Sequence, residues 1–467
     1  MGRINTNISS MAATRSLNKN QTDLSTRLQR LSTGLKINSG KDAPAGLIAS
    51  ETLRSEIAGI RQAMDNSQRA GNVINTAEGA LSEVSALLLE VQSLTNEAAN
   101  TGALSPDEIK ANQLQVDAIL NSVNRISNTT QFNGVKLLNG TLDYSVSGVV
   151  STAIDNVQVN AAKMPDNGTV DIIVQVTGSA QLAELNLNAS GVGASGVTIE
   201  LAGNFGTEQL SFAASTANSA VVVAINQIKE ATGVSATLSG AELKITSTAY
   251  GSRQFVSVKT ISGSFLDGKD FGQDATVNIN GQRADVNGLV ASVRSDNLDI
   301  ELSLDAGLAT DPSAGQTSFS ITGGGARFQI GSEVNRQGQT HIGIGSVATS
   351  KLGDEVVGYM SSIASGGANS LVSGNTTQAQ KVLSNAIRQV ATLRGRLGAF
   401  QKNILETNRS SMAVALENVT ASESAIRDAD FAEETAKMTR AQILVQANTS
   451  VLAQANSSPQ NVLSLLG

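Results

Sequence analysis

Apolar residues at the two ends of the chain recur at helical spacing, whereas in the middle they alternate. Near the start, Leu17, Leu24, Leu28, Leu31 and Leu35 follow one another at steps of seven, four, three and four, after Ile4, Ile8 and Met11. Near the finish, Phe431, Met438, Val445 and Leu452 stand seven apart. Such spacing lays each set along one narrow seam of a helix, and a seam asks for a partner. The two ends are therefore expected to pair. Just before and between the C-terminal members lie Ala429, Ala432, Ala436, Ala441 and Ala447, good helix formers small enough for close approach. The run Asn456-Ser457-Ser458-Pro459-Gln460 is expected to stop this helix, because proline has no amide hydrogen, and to hand over to an apolar tail that includes Leu463 and Leu466.

Inward from both ends the helical period continues. Gly34, Gly40, Pro44 and Gly46 break the first helix. From Leu47 to about Asn100, Ile57, Ile60 and Met64, then Ile74, Ala77, Leu81, Val84, Leu88 and Val91 keep the three-four alternation of a coiled-coil face. At 1.5 Å per residue this predicts roughly 75 Å of helix. Ser105-Pro106-Asp107-Glu108 opens another, with proline at the first helical position and acids in the first turn. On the C-terminal side Leu383, Ala386, Val390, Leu393, Leu397, Phe400 and Ile404 step by three and four, and Met412, Leu416, Val419 and Ile426 lead on to the last seam.

Between about 132 and 350 the period falls to two. Strands are expected at Val170–Val176, Val197–Leu201, Leu243–Ser247, Phe255–Val258, Ala275–Ile279, Leu298–Leu304 and Phe319–Ile321. One helix, Ala217–Ala231, interrupts them, with Ala220, Val223, Ala224 and Ile228 as its buried face. The fold class is thus α+β and multidomain: long coiled-coil-like helices from both termini form all-α core layers, with an inserted β-rich outer region. The boundaries read as 1–45 and 411–467 for the two halves of an inner helical core domain, and 46–164 (with a β-hairpin) and 316–410 for the two halves of a rod domain. Residues 165–315 form a β-rich, surface-exposed insertion of one or two subdomains.

Composition narrows the function. Over 467 residues the formal net charge is −7, without the clustered Lys and Arg that nucleic acid demands. Aromatics make up only 3%, which suits thin packing of long helices better than a large enzyme core. There are no cysteines, hence no disulfide or thiolate metal site. No run of eighteen apolar residues predicts membrane insertion, and the first residues carry no secretory signal. His341 is the sole histidine and serves neither a triad nor a His-rich metal site. Asp428, Asp430, Glu433 and Glu434, with Arg427 and Lys437 beside them, read as a capped, solvated or interface charge cluster. Asp267-Gly268-Lys269-Asp270 is too short for a calcium loop, and Gly323-Gly324-Gly325 lacks the lysine of a phosphate loop. No catalytic, cofactor-binding or metal-binding residues are expected, and no enzyme.

Several strings at both ends resemble bacterial flagellin: Ile4-Asn5-Thr6-Asn7; Leu31-Ser32-Thr33-Gly34-Leu35-Lys36-Ile37-Asn38-Ser39; Gln131-Phe132-Asn133-Gly134-Val135; Ile426-Arg427-Asp428-Ala429-Asp430-Phe431; Leu452-Ala453-Gln454-Ala455-Asn456; and Pro459-Gln460-Asn461-Val462-Leu463-Ser464-Leu465-Leu466. The resemblance covers about 1–140 and 375–467. It implies a structural subunit of the helical flagellar filament, a motility propeller outside the cell. Such a subunit is exported unfolded through the flagellar type III apparatus. Implied partners are further copies of itself, the flagellar cap protein, hook-filament junction proteins and an export chaperone. Exposed Ser and Thr of the insertion are plausible carriers of O-linked sugars. A hook-filament junction protein and a filament-displayed adhesin are the alternatives. Two positions depart from the enteric pattern in the patch read by the innate-immune flagellin receptor: Glu90 stands for an arginine and Gln115 for an acid. Weak recognition by that receptor is expected.

Overall fold

The structure is a computed structural model. It describes residues 6–463 except 166–167, 188–191, 194, 241, 266, 296 and 313–314, with side chains at the C-terminal end as far as Ser457. The helices follow in order as α1 (Ile8–Thr33), α2 (Pro44–Ala98), α3 (Pro106–Thr129), α4 (Asn218–Gln227), α5 (Lys229–Thr232), α6 (Ala306–Thr310), α7 (Thr376–Phe400), α8 (Thr407–Arg427) and α9 (Phe431–Leu463). Two compact units emerge. One comprises Met1–Arg69, Gln329–Gly338 and Ile404–Gly467, the other Ala70–Phe328 and Gln339–Asn403.

In the first unit α1 and α9 run antiparallel. Asn7 caps α1, its side-chain oxygen accepting the Ser10 amide at 3.0 Å. Gly34 closes it with φ +72°, a left-handed conformation that costs glycine no Cβ clash. The segment that follows is tied to the junction of α8 and α9. Lys36 N–H donates to the Arg427 carbonyl at 2.7 Å, and Ala429 N–H to that of Gly34 at 2.9 Å. Asp42 folds the connection by accepting the backbone amides of Asn38 and Ser39 and the Ser39 hydroxyl, at 3.2, 2.9 and 2.9 Å. Pro44 then opens α2, where its missing amide hydrogen costs nothing.

The second unit contains the fully buried face of α2 formed by Ile74, Ala77, Leu81, Val84, Leu88 and Val91. Arg394 of α7 ties to Glu78 of α2 at 2.7 Å. The start of α3 carries a full capping box: the Ser105 hydroxyl accepts the Glu108 amide, and the Glu108 carboxylate accepts the Ser105 amide at 2.7 Å.

The β region has two cores. In the first, a five-stranded sheet of Gln282–Arg283, Thr276–Ile279, Val170–Gly178, Gln316–Gly324 and Tyr144–Ser147 shares its core with a four-stranded sheet of Asp285–Asn287, Val290–Arg294, Leu298–Leu304 and Ile154–Ala162. All pairings are antiparallel. Leu298–Leu304 alternates buried and half-buried positions along its whole length, the signature of a one-faced strand. The second core is nested in the first. Val170–Gly178 pairs with Thr276–Ile279, Gly178 opposite Thr276, so the chain between them loops out. There it builds a three-stranded sheet (Glu184–Leu187, Glu242–Ser247, Val234–Ser239) and a four-stranded one (Gly268–Phe271, Phe255–Ser262, Val197–Gly203, Thr207–Phe212), together with α4.

Three local expectations are corrected. Proline 459 does not end its helix, since α9 continues to Leu463. On α4 the buried residues are Val221 and Ile225, while Ala220 is exposed and Val223 is 57% exposed. The helix is apolar on several sides, and packing against Val234–Ser239 selects the face. Beyond Phe400 the buried residue is Leu405 (3% exposed), whereas Ile404 is 39% exposed. Residues Gln401–Glu406 form a π-helical turn, whose wider winding brings position i+5 onto the face that an α-helix gives to i+4.

Candidate assembly seam

The terminal helix pair is held by polar contacts spaced along its length. Near the α9 start, one Arg27 terminal nitrogen donates to both carboxylate oxygens of Glu434, at 3.0 Å each, and Arg30 adds a bond at 3.2 Å. Glu434 is buried in this grip. Burial by itself would push its carboxyl up, but the hydrogen bonds and charges of Arg27 and Arg30 outweigh that and hold it below the ordinary carboxylate range. At the far end Asn7 donates its side-chain amide to the Ala455 carbonyl at 2.7 Å, and Ser10 donates to the Asn456 side-chain oxygen at 2.7 Å.

The apolar seam is covered unevenly. Leu17, Leu24, Leu31 and Leu35 of the first set, and Met438, Val445 and Leu452 of the second, are half-buried. Leu28 is 49% exposed and Phe431 60% exposed. A two-helix pair covers one side of a seam only, so residues on its flank remain bare. Leu463 and Leu466 lie outside the described side chains. Of the residues expected to pack the rod, Ile57, Ile60, Leu81, Leu88, Leu393, Leu397 and Phe400 are buried and Met64 is half-buried.

The acidic cluster separates into different jobs. Asp430 caps α9 by accepting the Ala432 amide at 2.8 Å, Glu433 pairs with Lys437 on the surface, and Glu434 alone turns inward. Periodicity reveals neither the inward turn of Glu434 nor the part played by Arg27, Arg30 and Asn7. The one hint is a carboxylate four residues before Met438 and eleven before Val445, on the apolar side of α9.

In the second unit Arg396 is half-buried and donates to the carbonyls of Asn160 and Gly343, at 3.0 and 3.2 Å. Burial pushes the neighbouring Asp143 carboxyl up. Among the described residues no group of three or more His, Asp or Glu is placed to hold a metal ion, and no helix is long and apolar enough to cross a membrane. Glu90 and Gln115 are both exposed.

Helical ends locked together in one register, with a β-rich insertion between them, define a structural subunit built on its termini. Residues 4–143 match the bacterial flagellin N-terminal helical region and residues 380–466 the C-terminal helical region. Flagellin of Salmonella typhimurium is 30% identical over 522 residues, covering 99% of each chain. Flagellin A of Vibrio anguillarum is 32% identical over 475 residues, again with 99% of each covered. FliC from Burkholderia pseudomallei aligns with 73% of this chain and 99% of its own at 15% identity and a TM-score of 0.25. The chain belongs to the bacterial flagellins. It is a subunit of the flagellar filament, and the alternative of a junction protein or displayed adhesin is not favoured.

Proposed function

We propose that the α1–α9 pair forms the innermost layer of the filament, that copies associate through apolar side chains this pair leaves bare, and that the β-rich region faces outward. The supporting observation is the exposure of Ile8, Met11, Leu28, Phe431, Ile443 and Val451 on these two helices. Bare apolar side chains in this number on one slender pair favour burial against further copies. In this reading the layers follow 1–45 with 411–467, then 46–164 with 316–410, then 165–315. Leu17, Leu24, Leu28, Leu31, Leu35, Phe431, Met438, Val445, Leu452, Leu463 and Leu466 form the core seam.

The reading extends to partners and route. The chain leaves the cell unfolded through the flagellar export apparatus, escorted by a chaperone, and adds beneath the cap protein onto junction proteins. It has no enzymatic role. Polar, small-residue rows along Ala436–Ala455 let neighbouring rows slide between discrete arrangements, which curves the tube into a propeller. The deciding experiment is seeded polymerisation of purified full-length chain with Met11 and Ile443 both changed to Ser. Loss of assembly with the far-ultraviolet spectrum of the monomer unchanged supports the reading, and normal growth rejects it.

A further inference from the structure

We propose that Asn7 is the positioning residue that sets the register of α1 against α9, by supplying a hydrogen bond that Pro459 withholds from the α9 ladder. Helix α9 runs through residue 459, which has no amide hydrogen, so the carbonyl four residues earlier, that of Ala455, lacks its helical donor. That carbonyl is the one Asn7 reaches, at 2.7 Å from its side-chain nitrogen. The other end of the same amide accepts the Ser10 N–H at 3.0 Å and thereby starts α1. One side chain opens one helix and repairs the gap in the other.

The seven-residue apolar repeat cannot set this register, because a slip of one heptad restores the same seam. The Arg27 and Arg30 clamp on Glu434 is made by long side chains that follow a small shift. Asn7 is short, and α9 contains one proline, hence one interior carbonyl without its helical donor. A slip by a single turn leaves both the Asn7 amide and the Ala455 carbonyl unpaired, each with the cost of an unsatisfied polar group. Ser10 and Asn456, bonded at 2.7 Å, hold the same alignment one turn along.

The test uses full-length chain and its critical concentration for filament growth, so it rests on the filament reading for its readout. Failure of the unaltered chain to polymerise sinks that reading, whereas the latch is judged from differences between variants. Asn7→Ser keeps a helix-capping oxygen but is too short to reach Ala455, and is expected to raise the critical concentration about fivefold. Pro459→Ala returns the missing N–H to the ladder. In that background Asn7→Ser is expected to have no further effect. A fivefold penalty that persists alongside Pro459→Ala, or no penalty from Asn7→Ser alone, overturns the proposal. If Asn7→Ser does not assemble at all, recovery in the double variant supports it and continued failure overturns it.

Discussion

Arg27 and Glu434, 407 positions apart in the chain, meet through one guanidinium nitrogen that bonds both carboxylate oxygens. The carboxylate is buried while Arg27 and Arg30 keep partial contact with solvent, so the negative member alone is fully dependent on its partners. Replacing Glu434 leaves Arg27 with Asp23 as its counter-charge, at 3.1 Å, and takes from Arg30 the carboxylate it bonds.

A pH dependence follows with a definite sign. The folded carboxyl titrates below its unfolded value, so its contribution is complete above the unfolded pKa and disappears as pH falls through the folded one. Filaments of the unaltered chain are expected to lose thermal stability more steeply below about pH 4.5 than filaments of Glu434→Gln. At neutral pH the variant is expected to be weaker by about 1–3 kcal/mol per subunit. Melting of both filaments across pH 3 to 7 checks this, and parallel curves reject it.

Two glycines predict opposite outcomes for the same substitution. At Gly203 a Cβ atom meets the Thr232 carbonyl oxygen at 2.4 Å and a Val234 methyl at 2.5 Å, so Gly203→Ala is expected to cost about 1–3 kcal/mol. At Gly79, within α2, a Cβ meets nothing within 4 Å, and Gly79→Ala is expected to stabilise by about 1 kcal/mol through helix propensity. Thermal unfolding of the monomer measures both.

Sliding between subunit rows requires shallow contact surfaces. Ala447 and Ala453 are exposed on α9, and a leucine at either site adds a knob that resists displacement. Both variants are expected to form filaments of altered helical shape with a blunted response to reversed torque. Dark-field microscopy of the filaments decides the matter, and unchanged shapes reject the sliding account.

The innate-immune receptor that reads flagellins is expected to respond weakly to this chain. Glu90 and Gln115 are exposed and lack the charges of the enteric pattern. The pair Glu90→Arg and Gln115→Glu is expected to strengthen signalling by at least tenfold in a receptor reporter assay, since opposing a charge with its like costs several kcal/mol. No gain from the pair overturns the expectation.

How much was legible in the chain depends on the range of the cause. Helix and strand periods are local, set by covalent geometry and by which neighbours are apolar, so α1, α2, α3, α7 and the strand Leu298–Leu304 stand where the pattern puts them. The capping box at Ser105 and Glu108 is legible for the same reason. The strand Ile154–Ala162 escapes notice because its polar residues Asp155, Asn156, Gln158 and Asn160 mask the alternation; pairing with Leu298–Leu304, far along the chain, makes it a strand. The π-turn after Phe400 is equally silent, since stepping by four to Ile404 fits the sequence as well as stepping by five to Leu405.

What the amino-acid order determined by itself is the class of the molecule: two apolar seams at the ends, an alternating middle, and the strings that place it among the flagellins. Tertiary structure alone decided which carboxylate turns inward, which carbonyl Asn7 reaches, and how one β core nests inside another. Those outcomes hang on contacts between residues hundreds of positions apart, and a period of seven or of two reads the same in every register that such contacts choose between.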